Sequence, residues 1–226
     1  MTNLKTYKEF VDRVNELGYM SLSNITEGFP SLTNETLREQ WHTGDLESDP
    51  WQWKDRAAEE KKLAFGCILG GNKGFVSQRM YPFFYILNRS GKTLEERWAD
   101  GLVSQEVREL YKLFNTKTLM DTAEIRREMG VTAKKGGSKL DNAIAELQKC
   151  YLITVAGNRR KLNKLGQPYG WPANIYDKVD NWVPAVWIEN SHEIDLEVAR
   201  EEVINTGLAF SSSLSEKQLM KILSIK

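Results

Sequence analysis

Trp51-Gln52-Trp53-Lys54-Asp55-Arg56 is the stretch of this sequence densest in side chains that could do chemistry. Aromatic and basic residues side by side can stack an extrahelical base and hold its phosphate. The same pattern suits an ordinary core, with Trp51 packed inward and Asp55 and Arg56 paired with the rest of the protein, which is the commoner arrangement. Only His42 and His192 are present, so general acid or base work falls to a carboxylate. Asp55, flanked by Lys54 and Arg56, is the first candidate.

A second constellation is electrostatic. Between Lys134 and Lys164 stand eight basic residues, Lys134, Lys135, Lys139, Lys149, Arg159, Arg160, Lys161 and Lys164, against two acidic ones, Asp141 and Glu146. The whole chain has 31 basic and 31 acidic residues and a formal net charge of zero, so this excess is local. Lys134, Lys135 and Lys139 surround the amino end of a predicted helix, where free amides and the helix dipole favour phosphate. Arg159, Arg160, Lys161 and Lys164 fall in a predicted hairpin loop. Clustering of this kind marks a phosphate-facing surface, with double-stranded DNA as the expected partner; a solvated basic loop is the plainer reading of the same charges. No base preference follows, because lysine and arginine contacts to phosphate carry no sequence information.

The elements that must position these residues follow from periodicity and caps. Tyr7, Phe10, Val11, Val14 and Leu17 predict a first helix stopped by Gly18, and Leu32, Leu37 and Trp41 a second. Asp49-Pro50 starts a third that runs toward Gly66. Phe65 to Val76 suggests a short strand and turn, the aromatic run Tyr81 to Tyr85 suggests core, and Thr93 with Glu96 forms a capping box. Ser104 caps a helix with Val107, Leu110, Tyr111 and Phe114 on one face; Asp121 with Glu124 caps a shorter one; Ser138 starts a third with Leu140, Ala143, Ile144 and Leu147 inward. Tyr151 to Val155 and Trp171 to Tyr176 are β-rich and flank the basic segment, so they should pair antiparallel and leave Arg159 to Lys164 in the connection. Helix, helix, helix, strand, basic hairpin, strand is the winged-helix order. Ile194 to Ile204 and a segment capped by Ser213 with Glu216 predict two closing helices.

The expected fold class is therefore α+β, mainly α, with a winged helix-turn-helix unit packed on an aromatic-rich helical N-terminal part. The expected division is 1–103, 104–177 and 178–226. A chain of 226 residues with 41% hydrophobic residues and seven tryptophans can bury a sizeable core. No apolar run reaches membrane-span length and no signal-peptide core follows Met1, so a cytoplasmic protein without membrane association is expected. Cys67 and Cys150 form no disulfide framework and have no zinc spacing, so no metal site is predicted. The glycine clusters at Gly70 and Gly136 lack the spacing of a phosphate loop, and no cofactor is implied. Composition leaves the oligomeric state open.

The stretches Glu146-Leu147-Gln148-Lys149-Cys150-Tyr151-Leu152, Arg159-Arg160, Gly166-Gln167-Pro168-Tyr169-Gly170-Trp171 and Trp51 to Arg56 resemble bacterial proteins of the AlkZ-related family. The resemblance covers most of the chain and extends, through the winged-helix part, to DNA glycosylases that unhook crosslinks or excise alkylated bases. It implies a Gln-x-Gln or Gln-x-Asp pair that positions water, of which this chain keeps Gln148 and replaces the partner by Cys150. A thiol is a poor acceptor, so the pair is altered. Gln148 suits equally a residue that closes its helix by bonding backbone, and Cys150 a small buried hydrophobe. Three functions remain open: a DNA-binding protein of glycosylase ancestry; an active glycosylase in alkylation or crosslink repair, using Gln148 with a carboxylate such as Asp55; and a transcriptional regulator or partner-binding protein.

Overall fold

The computed structural model describes residues 3–89, 91–132, 136–163 and 165–225. Helix α1 (Tyr7–Leu17) begins at Thr6, whose hydroxyl accepts the Glu9 amide while the Glu9 carboxylate returns to the Thr6 amide, and it buries Tyr7, Phe10 and Val14. Gly18, at φ 93°, ends it and turns the chain into β1 (Tyr19–Ser21). The helix expected around Leu32 to Trp41 is reduced to a single 3-10 turn at Arg38–Gln40. Hydroxyls supply the reason. Ser31 accepts from the Asn34 amide, Thr36 donates to the Leu32 carbonyl and Trp41 donates to Thr36, so local side-chain bonds replace the helical ladder.

Asp49 caps α2 (Pro50–Glu59) by accepting from the Trp51 amide, and its two oxygens also hold the amides of His42 and Gly44. The helix stops short of Gly66 because Lys61 takes a left-handed conformation, φ 53°, and the chain enters β2 (Leu63–Leu69) and β3 (Asn72–Ser77). These strands and β1 form an antiparallel sheet in the order β1-β3-β2. The strand and turn expected at Phe65 to Val76 are thus β2 and β3, but the N-terminal part is a three-stranded sheet with helices against it where mostly helix was expected; nearly every β2 residue is buried, which weakens the alternation that reveals a strand. α3 (Tyr81–Arg89) and α4 (Leu94–Ala99) follow, the latter with the expected Thr93 and Glu96 capping box.

α5 (Gln105–Leu113), β4 (Met120–Asp121), α6 (Thr122–Glu128), α7 (Gly137–Lys149), β5 (Ile153–Leu162) and β6 (Pro168–Lys178) make the next unit. Its sheet runs β4-β6-β5, antiparallel throughout, with Val155 opposite Tyr176 and Arg159 opposite Ala173. The antiparallel pairing is as predicted, but β5 starts at Ile153, after Tyr151 at φ 53°, and runs further: Arg159, Arg160 and Lys161 belong to β5 itself, with Lys161 opposite Tyr169. α7 begins earlier than expected, at Gly136, whose φ of 90° favours glycine over the predicted Ser138. α8 (Val179–Trp182), α9 (Leu196–Leu208) and α10 (Glu216–Leu223) complete the chain, and α10 is capped by Ser215 with Gln218 instead of Ser213 with Glu216. The class is α+β with helix predominant. Among the described residues no helix is long and apolar enough to cross a membrane.

Two apolar clusters hold these pieces together. One joins Phe10, Trp53 and Phe75 to Leu110, Leu147 and Ile153; the other joins Tyr19, Met80 and Tyr81 to Tyr151, Trp182 and Val203. Tyr19, Tyr81 and Tyr151 are almost fully buried, and the Tyr19 and Tyr151 phenols donate to the carbonyls of Val203 and Ile68. Burial raises all three phenol pKa values above the ordinary 10.0. A folded-state pKa above the unfolded one gives stability that is intact below about pH 10 and is lost as pH climbs toward the folded values. Circular dichroism and phenolate absorbance followed together above pH 10 should therefore show the three buried phenols ionising only in the step in which the fold is lost.

Candidate functional site

Asp141, Asn142, Ala145 and Gln148 lie along one side of α7, exposed at its amino end and buried at Gln148. There the helix meets the first sheet and the second. A cavity of about 340 Å³ lies at this junction, lined by Asp141, Asn142 and Gln148 from α7, by Lys73 from β3 and by Asn174 and Tyr176 from β6. Phe65, Gly66 and Cys67 of β2 close its remaining wall.

Gln148 is 3% exposed. Its Oε1 accepts the Cys67 amide at 3.1 Å and its Nε2 donates to the Ile144 carbonyl at 3.1 Å. The side chain thus clips α7 to β2 and has one N–H and one lone pair left. Gly66 makes the clip possible: at φ +153°, a Cβ there would lie 2.4 Å from Gln148 Oε1.

Cys150 does not share this cavity. Residues two apart on a helix are separated by roughly 200° around the axis. Its thiol accordingly faces the other side, where Arg97 Nη1 donates to Sγ at 3.1 Å and Glu146 Oε1 lies at 3.8 Å. Burial is the largest cause of a thiol pKa pushed up to about 11, with Glu146 adding to it and Arg97 opposing. At neutral pH Cys150 is a protonated, inert side chain.

Asp55 is 2% exposed and accepts from Lys54 Nζ at 2.6 Å. It does not line the Gln148 cavity. Burial lowers the Lys54 pKa even though Asp55 opposes that shift. The ammonium sits 4.2 Å from the Trp51 ring centroid and 5.7 Å from that of Phe65, so the ion pair lies behind the cavity wall. Trp51 in turn packs with His42, at 5.0 Å, and Trp171, at 5.7 Å, tying α2 to the β5–β6 hairpin. Trp171 is 65% exposed and Tyr169 53%.

The basic residues are unevenly engaged. Lys139 pairs with Glu106 at 3.2 Å, and Arg159 with Asp121 and Glu124 at 3.4 and 3.3 Å. Arg160 is exposed and makes no ion pair among the described residues. Only the backbone of Lys161 is described, and Lys134, Lys135 and Lys164 lie outside the described residues. Lys73, Asn174 and Tyr176 were not singled out from sequence. Nothing local marks them, whereas the 141, 145, 148 spacing on α7 was readable.

Three helices closed by a small antiparallel sheet with a long hairpin, and a cavity flanking the last helix, are the frame that positions these residues. The chain belongs to the AlkZ-related family, whose model matches residues 4–224. No curated protein and no solved structure matches it.

Replacing Gln148 by Ala should lower the unfolding free energy by about 1–3 kcal/mol, the cost of leaving the buried Cys67 amide without an acceptor. Denaturant melts measure the loss, and amide exchange at Cys67 should accelerate with it.

Proposed function

We propose that residues 104–177 form a winged-helix unit that lays α7 and the β5–β6 hairpin on double-stranded DNA, in a protein of glycosylase ancestry that binds rather than rapidly excises bases. Family membership supports the glycosylase-like relationship. The order of elements from α5 to β6 supports the winged-helix reading, with α7 as recognition helix. Lys134, Lys135, Lys139, Arg159, Arg160, Lys161 and Lys164 are the proposed phosphate contacts. Arg160 has no ion-pair partner among the described residues, while Lys139 and Arg159 would exchange carboxylate partners for phosphate.

The observation that carries the binding reading is the state of Gln148. Its amide is committed to the backbone of Cys67 and Ile144, and the thiol two residues on faces away, so the two side chains cannot hold one water between them. Asp55 acts at one remove, as a positioning residue that anchors Lys54 behind the cavity wall. An active glycosylase is favoured by one different observation. Asp141 lines the same cavity as Gln148, two turns earlier on α7, and could serve as the carboxylate that Cys150 cannot replace.

Fluorescence anisotropy with undamaged and alkylated duplexes across a salt series tests the binding reading. Joint alanine replacement of Arg159, Arg160 and Lys161 should weaken binding similarly for all sequences and lower the salt slope by up to about one unit per lost phosphate contact. Unchanged affinity would return the hairpin to a solvated basic loop. In a base-release assay the unaltered protein should show very slow or no excision, and Cys150→Gln should restore none, because the new amide would enter the opposite cavity. Multiple turnover abolished by both Gln148→Ala and Asp141→Asn would establish the enzyme instead.

A further inference from the structure

The far end of α7 opens on a second and larger cavity, of about 570 Å³. Its walls come from α3, α4, the carboxyl end of α7, the first turns of α9 and the segment after α10. Ligand sites favour such junctions of several elements. Four cations line it, Lys92, Arg97, Lys149 and Arg200, against two carboxylates, Glu146 and Glu197.

Two of the four cations are already neutralised. Lys92 pairs with Asp100, and Arg200 with Glu197 and Glu216. Arg97 is not. Its guanidinium is half-buried and donates to the carbonyls of Lys92 and Asn88 and to the Cys150 thiol, all uncharged acceptors. Because the thiol pKa is pushed up to about 11, Cys150 supplies no negative charge at neutral pH. No carboxylate lies within ion-pair distance of Arg97 or Lys149 among the described residues. Arg97, a planar fork of donors, and Lys149 thus face one cavity outside any ion pair among the described residues, with Glu146 the one lining carboxylate not already paired with a cation there. Leu87, Val103, Leu196 and Ile225 supply an apolar side to the same space.

We propose that this cavity binds a small organic phosphate, its charged group on Arg97 and Lys149 and its less polar portion against the leucine and valine wall. Arginine suits phosphate because its donors match two oxygens at once, and lysine adds a second positive charge. The site is separate from the proposed DNA surface: ten helical rises, about 15 Å, separate Lys139 from Lys149 along α7. A phosphate there would bridge α4 and α7, and bound ligand would stabilise the packing of the closing helices on the rest of the chain.

Isothermal titration of the full chain with adenosine diphosphate, pyrophosphate and adenosine at constant ionic strength tests this. Adenosine diphosphate should bind saturably, pyrophosphate more weakly, and adenosine not at all. Arg97→Gln and Lys149→Gln should each weaken adenosine diphosphate binding by about tenfold or more, whereas Arg160→Ala should leave it unchanged. Lys149 makes no ion pair among the described residues, so its variant reports on the site even where Arg97→Gln perturbs folding. Excess duplex DNA should not displace the nucleotide. Absence of saturable binding by both phosphates, retention of full affinity in Lys149→Gln, or displacement by duplex would each overturn the proposal.

Discussion

A single buried amide fixes the relation between the two halves of this fold. Gln148 reaches from the last turn of α7 to the Cys67 amide of β2, across a gap that only a glycine at position 66 leaves open. Around this contact Leu147 and Ile144 of α7 pack with Phe65 and Phe75 of the first sheet, so the polar clip is embedded in apolar surface. Inside such surroundings a satisfied hydrogen bond sets register while an unsatisfied one is costly, which makes this contact directional where the surrounding packing is not. The cavity beside α7 exists because the clip holds the helix against β2 while β6 flanks its outer side.

Helix geometry then separates the chemistry into two regions. Side chains of Asp141, Asn142 and Gln148 open on the cavity between the sheets, whereas Glu146, Lys149 and Cys150 open on the cavity shared with α4 and α9. The two proposed functions of the molecule, duplex binding along the amino-terminal face of α7 and phosphate binding at its carboxyl end, are thereby mechanically joined by one rigid element. A ligand at one end could alter the other only through a shift of α7, and the Gln148 contact opposes such a shift.

Charge behaves similarly. The net charge of the chain is zero, and two cations of the basic segment are met by carboxylates that the fold supplies from distant positions, Glu106 for Lys139 and Asp121 with Glu124 for Arg159. Such exposed pairs are weak, and a phosphate can replace them. The buried Lys54 and Asp55 pair is different in kind. It sits beside aromatic rings and is almost fully buried, so removing one partner would strand a charge in the core.

Much of the fold was legible in the sequence. The capping boxes at Thr93 and Asp121, the cap at Ser104, the periodicity of α1, α5 and α7, and the pairing of β5 with β6 all arise from residues close in the chain, where backbone amides and nearby side chains settle the conformation. The family resemblance was legible too, because it rests on residue identity. Of the first sheet the sequence suggested only a short strand and turn at Phe65 to Val76, since nearly every β2 residue is buried and carries no alternation, and it missed the lack of a helix at Leu32, where hydroxyls compete with the backbone. It also set Gln148 and Cys150 side by side as a pair. Two residues apart in sequence means opposite sides of a helix in space, and which cavity each side chain entered, with which partners, was decided only when α7 docked on β2 and α4 closed over its far side.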